Sequence, residues 1–432
     1  MRFLLRHFVL LTAIIACASY VAVYAFRLAD APIRSDGFSY YVYLPSWLLY
    51  GDPSLDAVAR DCCGGRFPDF TAIRRWPGTG HWINPHPIGV AVQMLPFFAT
   101  ADALTWWSNL PRDGFSLYYQ YFAGLAGVAY ALGGLWVLRR LLTAHFEERV
   151  VVATLVTITW GTNLFHYAVF DSTFSHVYSF FLITLLLSLT DTWRRAPTWL
   201  GSVALGIAAG LIVMTRHPNA VFLLLVPLYG LDASKDLLSA SKRLWARRAH
   251  VAVVVGTAAI CITPQLAIYR RASGHWLVNA YNPLGVGLDL MAPHIAGVLF
   301  SVQKGLFFWS PVLVLSVFGL FVARGWARSL VPSLAIVMAL ETYLIASWRL
   351  WSFGGSYGHR AFTDALGLFA IPIAAFFTWA SGRSARIARS VAAGTTLAVG
   401  LSVFQMVQYW KGMIPLDNTT WDQYRAIFLR WP

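Results

Sequence analysis

The chain has 432 residues, of which 58% are hydrophobic and only 12% charged, with a mean hydropathy of +0.58. A soluble surface carries about twice that share of charge, so this composition excludes a soluble enzyme, a disordered chain and a disulfide scaffold; four Cys are too few to staple a chain this long. The net charge of +14 lies mostly in short loops between apolar runs. That is the orientation signal of a polytopic membrane protein rather than a nucleic-acid footprint.

In chain order, apolar runs long enough to approach a bilayer crossing fall at Phe8–Leu28, Phe115–Leu138, Val150–Phe165, Thr173–Leu189, Trp199–Met214 and Asn219–Leu231. They continue at Val251–Tyr269, Leu306–Val322, Leu330–Ser347, Phe362–Ala380 and Val391–Tyr409. The pattern predicts an all-α bundle of about 11 transmembrane helices, with residues 1–432 forming a single membrane domain. Arg2, Arg6 and Ala16-Cys17-Ala18 give the first run some features of a signal peptide, but its length predicts a retained helix.

Basic clusters alternate along the chain: Arg139-Arg140, Arg194-Arg195, Lys242-Arg243 with Arg247-Arg248, Arg324 with Arg328, and Arg383 with Arg386 and Arg389. Placing all of them in the cytoplasm puts the C-terminal tail, 411–432, outside. The count requires that Pro87–Trp107, apolar but interrupted by Pro96 and carrying Asp102, lies in the outer interface. The alternative is one more crossing, with Arg139-Arg140 outside. The first external loop then runs over 29–107 and carries interfacial helices.

Ionisable residues at membrane depth are functional candidates by default, and here they gather on the outer side. Asp36 follows the first run in Ile33-Arg34-Ser35-Asp36-Gly37-Phe38-Ser39-Tyr40-Tyr41. Asp171 and His176 stand in Phe170-Asp171-Ser172-Thr173-Phe174-Ser175-His176. Either Asp could instead cap a helix. Arg216 interrupts two runs in Thr215-Arg216-His217-Pro218-Asn219, and a broken helix at membrane depth usually lines a cavity. Lys304 stands in Ser301-Val302-Gln303-Lys304-Gly305, and Arg360 ends Gly354-Gly355-Ser356-Tyr357-Gly358-His359-Arg360. Arg suits a phosphate fork, whereas the plainer reading of each cation is snorkelling to lipid headgroups. His residues crowd the outer side without zinc-type spacing to a Cys, so the residues leave a divalent metal open and call for no cofactor. Cys62-Cys63 are adjacent, read as free thiols, and carry no assigned role.

These pieces, in this order, resemble the bacterial membrane glycosyltransferases of the C-type (GT-C) fold that use polyprenyl-phosphate sugars, a group that includes aminoarabinose transferases and protein mannosyltransferases. The resemblance lies in "SDGFSYYVYLPSWLLYGD", "WINPHPIGVAVQMLPFF", "DSTFSHVYSFF", "TRHPN", "SVQKGLFFWSP" and "WSFGGSYGHR". It implies that Asp36 takes the place of the catalytic acidic residue and Asp171 that of a second external Asp. Arg216, Lys304 and Arg360 would then hold the donor phosphate, and Tyr40, His176, Tyr357 and His359 would contact substrate. Three departures stand out. Asp36-Gly37 replaces an acidic pair, Asn84-Pro85-His86 stands where some relatives have Lys, and Lys304-Gly305 replaces Arg-Gly.

The chemistry fits those residue types. A sugar phosphate carries its own leaving group, so transfer needs one carboxylate to accept the acceptor's proton and cations to hold the departing phosphate. A hydrolase needs a matched carboxyl pair instead. The expected partners are a polyprenyl-phosphate-linked sugar, an acceptor hydroxyl on a lipid-linked glycan, lipopolysaccharide or protein, and membrane lipids, with no nucleic acid. The expected location is the bacterial inner or plasma membrane, with the site facing the periplasm or exterior. The alternative is a transporter or flippase of a lipid-linked glycan, which would use the same cations without a base; no second half repeats the first as in many transporters.

Overall fold

The computed structural model describes residues 2–231 and 237–431. Met1 and Pro432, the ends of the predicted single domain and of the predicted tail, lie outside the described residues. The chain is an all-α polytopic membrane protein. Every apolar run of the sequence lies on one helix or on consecutive helical pieces.

The first helix, α1 (Arg2–Ala25), leads into a loop holding three short helices, α2 (Ser35–Tyr41), α3 (Tyr43–Leu48) and α4 (Asp56–Cys63). A two-stranded antiparallel hairpin follows, β1 (Arg74–Arg75) and β2 (Trp82–Ile83). Then come α5 (Gly89–Trp107), α6 (Leu117–Thr143), α7 (Glu148–Trp160), α8 (Leu164–Val169), α9 (His176–Arg195) and α10 (Trp199–Thr215). A 3-10 stretch, His217–Leu224, links α10 to α11 (Leu225–Leu228), with α12 (Leu237–Ala246) and α13 (Arg248–Ser273) beyond it. The last third contains α14 (Ile295–Phe300), α15 (Leu306–Trp309), α16 (Val314–Val322), α17 (Gly325–Ala346), α18 (Leu366–Ser381, entered through a 3-10 turn at Arg360–Ala365), α19 (Ala385–Trp410) and α20 (Trp421–Ile427).

Among the described residues, six helical segments are long and apolar enough to cross a membrane: His7–Ala25, Leu117–Thr143, Arg248–Ser273, Gly325–Ala346, Arg360–Ser381 and Ala385–Trp410. Of the other runs, the one on α9 is long enough at 20 residues but less apolar, and the rest form shorter or interrupted helices. Pro218 follows Arg216 and His217, removes a main-chain donor and tightens the chain into a 3-10 turn. Pro311 does the same ahead of α16. α18 is the most enclosed span, buried from Leu366 to Phe377, and it packs against α16, α7 and α9.

α9 fixes the two ends of the bundle. Its 20 residues span about 30 Å, from His176 at one end to Arg194-Arg195 at the other. The far end is closed by a second polar cluster, in which Asp191 accepts from Arg195 Nη2 (2.6 Å), Trp326 Nε1 (3.1 Å) and Tyr229 Oη, with His145 stacked on Trp326 at 3.7 Å. Arg247 sits at this end too, its Nη1 donating to Arg194 O (2.9 Å).

Two departures from expectation concern the first loop. Pro96 does not break α5, which continues unbroken to Trp107. It lies antiparallel to α6, with Gln93 O accepting from Tyr130 Oη (3.0 Å) and Asp102 accepting from Tyr119 Oη (2.5 Å) and Arg112. Cys62 and Cys63, read as free thiols, are disulfide-bonded to each other. The pair ends α4.

Candidate active site

At the end of the bundle opposite Asp191, residues far apart in sequence converge into a chain of buried ion pairs. Its first member comes from the turn into α2. Ser35 has φ +48, a left-handed conformation that non-glycine residues seldom adopt. The turn sends the residues on either side of it to different partners. Arg34 Nη2 donates to Asp171 Oδ1 (2.8 Å) and to Phe170 O (3.0 Å), with its guanidinium over the Phe170 ring at 5.0 Å. Asp36 Oδ2 accepts from Arg360 Nη1 at 2.8 Å, and His86 Nε2 stands 3.9 Å from its other oxygen. Burial is the strongest single influence on Asp36 and would raise its pKa, but Arg360, His86 and His176 together outweigh it and hold the carboxyl below its usual range. Burial also brings His86 down to about 4, so it is a neutral imidazole at physiological pH.

Neither Asp is a helix cap. α2 begins after Arg34 with no side-chain cap, and so does α9 after Ser175. Asp171 has a second partner in His166. Trp410 Nε1 donates to His166 Nδ1 (2.9 Å), which leaves Nε2–H to donate to Asp171 Oδ2 (2.9 Å). Burial works against the ionised form of Asp171, yet Arg34 and His166 together hold its pKa well below the usual carboxylate range.

A second ring of pairs surrounds Asp364. His176 Nδ1 donates to Oδ1 (2.8 Å), while Arg216 Nη1 (2.6 Å) and Asn219 Nδ2 (2.9 Å) donate to Oδ2. Asn219 also donates to Ser179 Oγ (2.9 Å), fixing the 3-10 turn on α9. The two rings meet at Phe353, whose ring has the Arg216 guanidinium 5.8 Å away and that of Arg360 5.9 Å away. Phe353 itself has φ +58, and backbone strain of this kind tends to concentrate at functional sites. Arg360 retains a buried Nε without an acceptor.

The predicted residues fall into three groups. Asp36, Asp171, Arg216, Arg360 and His176 belong to this connected set, and Tyr40 packs edge-on against His86 at 4.7 Å. Lys304 is buried and tied to main chain, with Nζ donating to Ser356 O and to Leu416 O (2.7 Å); burial lowers its pKa to about 8. It joins the glycine-rich approach to Arg360 to the segment after α19. Tyr357 and His359 flank that approach. Tyr357 Oη donates to Ser402 O (2.8 Å) and its ring packs on His166, while His359 Nε2 donates to Trp351 O (3.0 Å) and its Nδ1 is buried without a partner. Among the described residues no group of three or more His, Cys, Asp or Glu is placed to hold a metal ion.

Sequence reasoning does not reach three further residues. Arg34 stands two residues before Asp36 in the same turn. Asp364 and Glu341 were absorbed into apolar runs, although each is the one acid in its run and a charge inside a span is a functional signal. Glu341 is buried in α17, its Oε2 accepts no hydrogen bond, and α17 packs on the turn after Arg216.

Gly37 leaves Asp36 as a single acid in its turn. A Cβ at this position would fall 2.0 Å from Thr173 Oγ1, and that hydroxyl is held by donation to Pro32 O at 2.8 Å. A second carboxylate has no room there. Gly127 on α6 is needed for a similar reason, since its Cβ would lie 1.9 Å from Ser172 O; this close contact seats the Asp171 turn.

Fold and site together define a polytopic membrane protein of the all-α class, with a buried network of paired carboxylates and guanidiniums at one end of its bundle. No protein-family model matches the chain, and no curated protein does. Among solved structures it is similar to the archaeal oligosaccharyltransferase AglB from Archaeoglobus fulgidus, determined in complex with an inhibitory peptide and a dolichol-phosphate, at TM-score 0.49 and 11% identity. The match covers 98% of this chain and 58% of that one, so this chain spans little more than half the length of that protein. The assignment of chemistry rests on the residues of the site.

Proposed function

We propose that this protein is an integral membrane glycosyltransferase of the GT-C type. It would move a sugar from a polyprenyl-phosphate donor to an acceptor hydroxyl on the outer face of the membrane. The observation that carries the reading is the Asp36–Arg360 pair. A carboxylate held ionised stands against a guanidinium with a free donor, both at the end of the bundle reached directly from α1.

In this mechanism Asp36 accepts the acceptor's hydroxyl proton as the oxygen bonds to the anomeric carbon. The bond from that carbon to the phosphate oxygen breaks, and the electron pair leaves with polyprenyl phosphate. Arg360, through its free Nε, and Arg216, across Phe353, stabilise the charge that accumulates on the phosphate. A single displacement inverts the anomeric centre. Asp171 shapes the site through Arg34, which holds the turn that presents Asp36, and Lys304 holds the loop that presents Arg360. His176 places Asp364 against Arg216. Tyr40, Tyr357 and His359 line the substrate approach. The loop over 29–107, with α5 kept on the outer side, forms the roof.

The test is single-turnover transfer from a purified polyprenyl-phosphate sugar by Asp36→Asn, with donor binding measured in parallel. Removing general-base assistance costs on the order of 10²–10⁴ in rate, and donor affinity should persist. Near-normal turnover would remove Asp36 from this role, and unaltered glycan flux across the membrane would favour a transporter.

A further inference from the structure

Away from the ion-pair network, the first loop carries a second concentration of cations in Gly65-Arg66-Phe67-Pro68-Asp69 and Ile73-Arg74-Arg75. The chain folds them around a concavity of about 370 Å³, within the range typical of small-ligand sites. Its floor is apolar and fixed: Phe67, Ile73 and Trp82 are buried, with Phe67 edge-on to Trp82 at 5.0 Å. Its rim is Arg66, Arg74 and Arg75.

Two of these guanidiniums are oriented by main chain. Arg74 Nη1 donates to Ile73 O (2.8 Å) and its Nη2 to Asp69 O (3.0 Å), while Arg75 Nη1 donates to Gly80 O (2.7 Å) and its guanidinium covers Trp82 at 4.1 Å. Asp69 lies between Arg66 (3.3 Å) and Arg74 (3.2 Å), and Asp56 reaches Arg75 at 3.4 Å. Three cations therefore face two carboxylates, and each guanidinium, with five N–H donors, keeps some unused. The rim can accept one more anion.

The basin is also tied to the proposed base. Ser39 Oγ donates to Thr71 O (2.5 Å) and Asn84 Nδ2 to Ser39 O (2.7 Å), which ties the middle of the basin segment and the residue pair after Trp82 to α2, the helix that carries Asp36. Trp82 is four residues from His86, at most about 14 Å of extended chain, and His86 stands beside Asp36.

We propose that this basin binds an anionic group, a phosphate or carboxylate, on the saccharide acceptor and so directs the acceptor's hydroxyl toward Asp36. The inference rests on the glycosyl-transfer reading of the site. A free anionic saccharide is the committed ligand, and an anionic lipid headgroup is an outcome of the test.

The experiment uses the full chain in phosphatidylcholine nanodiscs, titrated calorimetrically with trigalacturonate and, as a neutral control, maltotriose. Trigalacturonate should bind with an affinity that falls with salt, and maltotriose should not bind. Arg66→Gln with Arg74→Gln should weaken trigalacturonate at least about tenfold, the scale of one charge-assisted hydrogen bond. Arg66→Gln alone, at a side chain 79% exposed, should weaken it in the same direction without affecting folding. Unchanged affinity in both variants overturns the proposal. So does loss of trigalacturonate binding by the unmodified protein when phosphatidylglycerol is added to the disc, since the basin would then be a lipid site. Asp36→Asn should bind trigalacturonate normally. If Asp36→Asn also transfers sugar normally while the arginine variants lose the probe, the basin stands and the catalytic reading fails.

Discussion

Arg34 and Asp36, separated by one serine, form ion pairs of opposite sense with different parts of the chain: Arg34 Nη2 with Asp171 and Asp36 Oδ2 with Arg360, each at 2.8 Å. The left-handed Ser35 lets neighbouring side chains diverge in this way. The turn after α1 is thus fastened to the α8–α9 corner on one side and to the entry of α18 on the other. The position of the proposed base depends on both attachments.

The first pair should appear in acid stability. The Arg34 and Asp171 side chains are 20% and 9% exposed, and breaking such a pair by removing one partner costs about 3 kcal/mol. Arg34→Ala should therefore lower the melting temperature at pH 7. Because the folded-state pKa of Asp171 lies below its unfolded value, its contribution is complete above the ordinary Asp value of about 4 and is lost as pH falls through the lower folded value. Thermal melts of the parent and Asp171→Asn should differ at pH 7 and converge on acidification below that point. A constant difference down to the lowest pH would show that the pair does not set acid stability.

Gly37 and Thr173 should behave as a coupled pair. Gly37→Ala places a Cβ against a hydroxyl that cannot easily retreat, and overpacking of this kind typically costs 1–3 kcal/mol. Thr173→Gly removes the obstructing atoms, so the double variant should melt above Gly37→Ala alone. Additive losses would mean that the two positions do not compete for the same space.

Much of this arrangement was legible in the sequence, and the reason is physical. Crossing a bilayer requires apolar runs of a fixed length, so the long apolar helices could be read from composition, whereas short ones such as α12, α14 and α20 could not. Asp171, Arg216 and Arg360 stand within a few residues of a run and Asp36 in the loop after the first, so each could be read as a candidate where charge is costly. The pairings could not be read. Asp364 lies in the 3-10 turn that opens α18 and meets Arg216 only through the fold. Pro96 shows the limit of local rules: proline usually breaks a helix, yet α5 continues through it, packed along α6. The role of Arg34 appears only with the α8–α9 corner in place, where it pairs with Asp171.

Sidedness rests on the basic loops and can be tested directly. A reporter active only outside the cytoplasm should be active when fused after Pro432 and silent after Arg195. Arg194-Arg195 ends α9, at the opposite end from His176, so a silent fusion there and an active one at the tail would put the ion-pair network on the outer face. An inactive fusion at the tail would reverse the assignment of the active face.

The last prediction separates the two arginines that flank Phe353. Arg360 touches Asp36 and has a free Nε, whereas Arg216 is engaged by Asp364, so their variants should differ in kind. Arg360→Lys keeps the charge near Asp36 but loses the planar fork that holds a phosphate while contacting a carboxylate. Losing one charge-assisted contact to the phosphate costs roughly 1.5–3 kcal/mol, so donor affinity should fall about tenfold to a hundredfold with little change in melting temperature. Arg216→Ala should also weaken the donor. It additionally strips a cation from the buried Asp364, leaving His176 and Asn219 as its partners, so it should lower the melting temperature. Arg216→Ala combined with Asp364→Asn removes the uncompensated charge and should recover the melting temperature without recovering donor affinity. Donor binding is measured with a polyprenyl-phosphate sugar and stability by thermal melts on the same preparations. Recovery of affinity in the double variant would show that Arg216 serves to neutralise Asp364, leaving Arg360 alone to hold the phosphate.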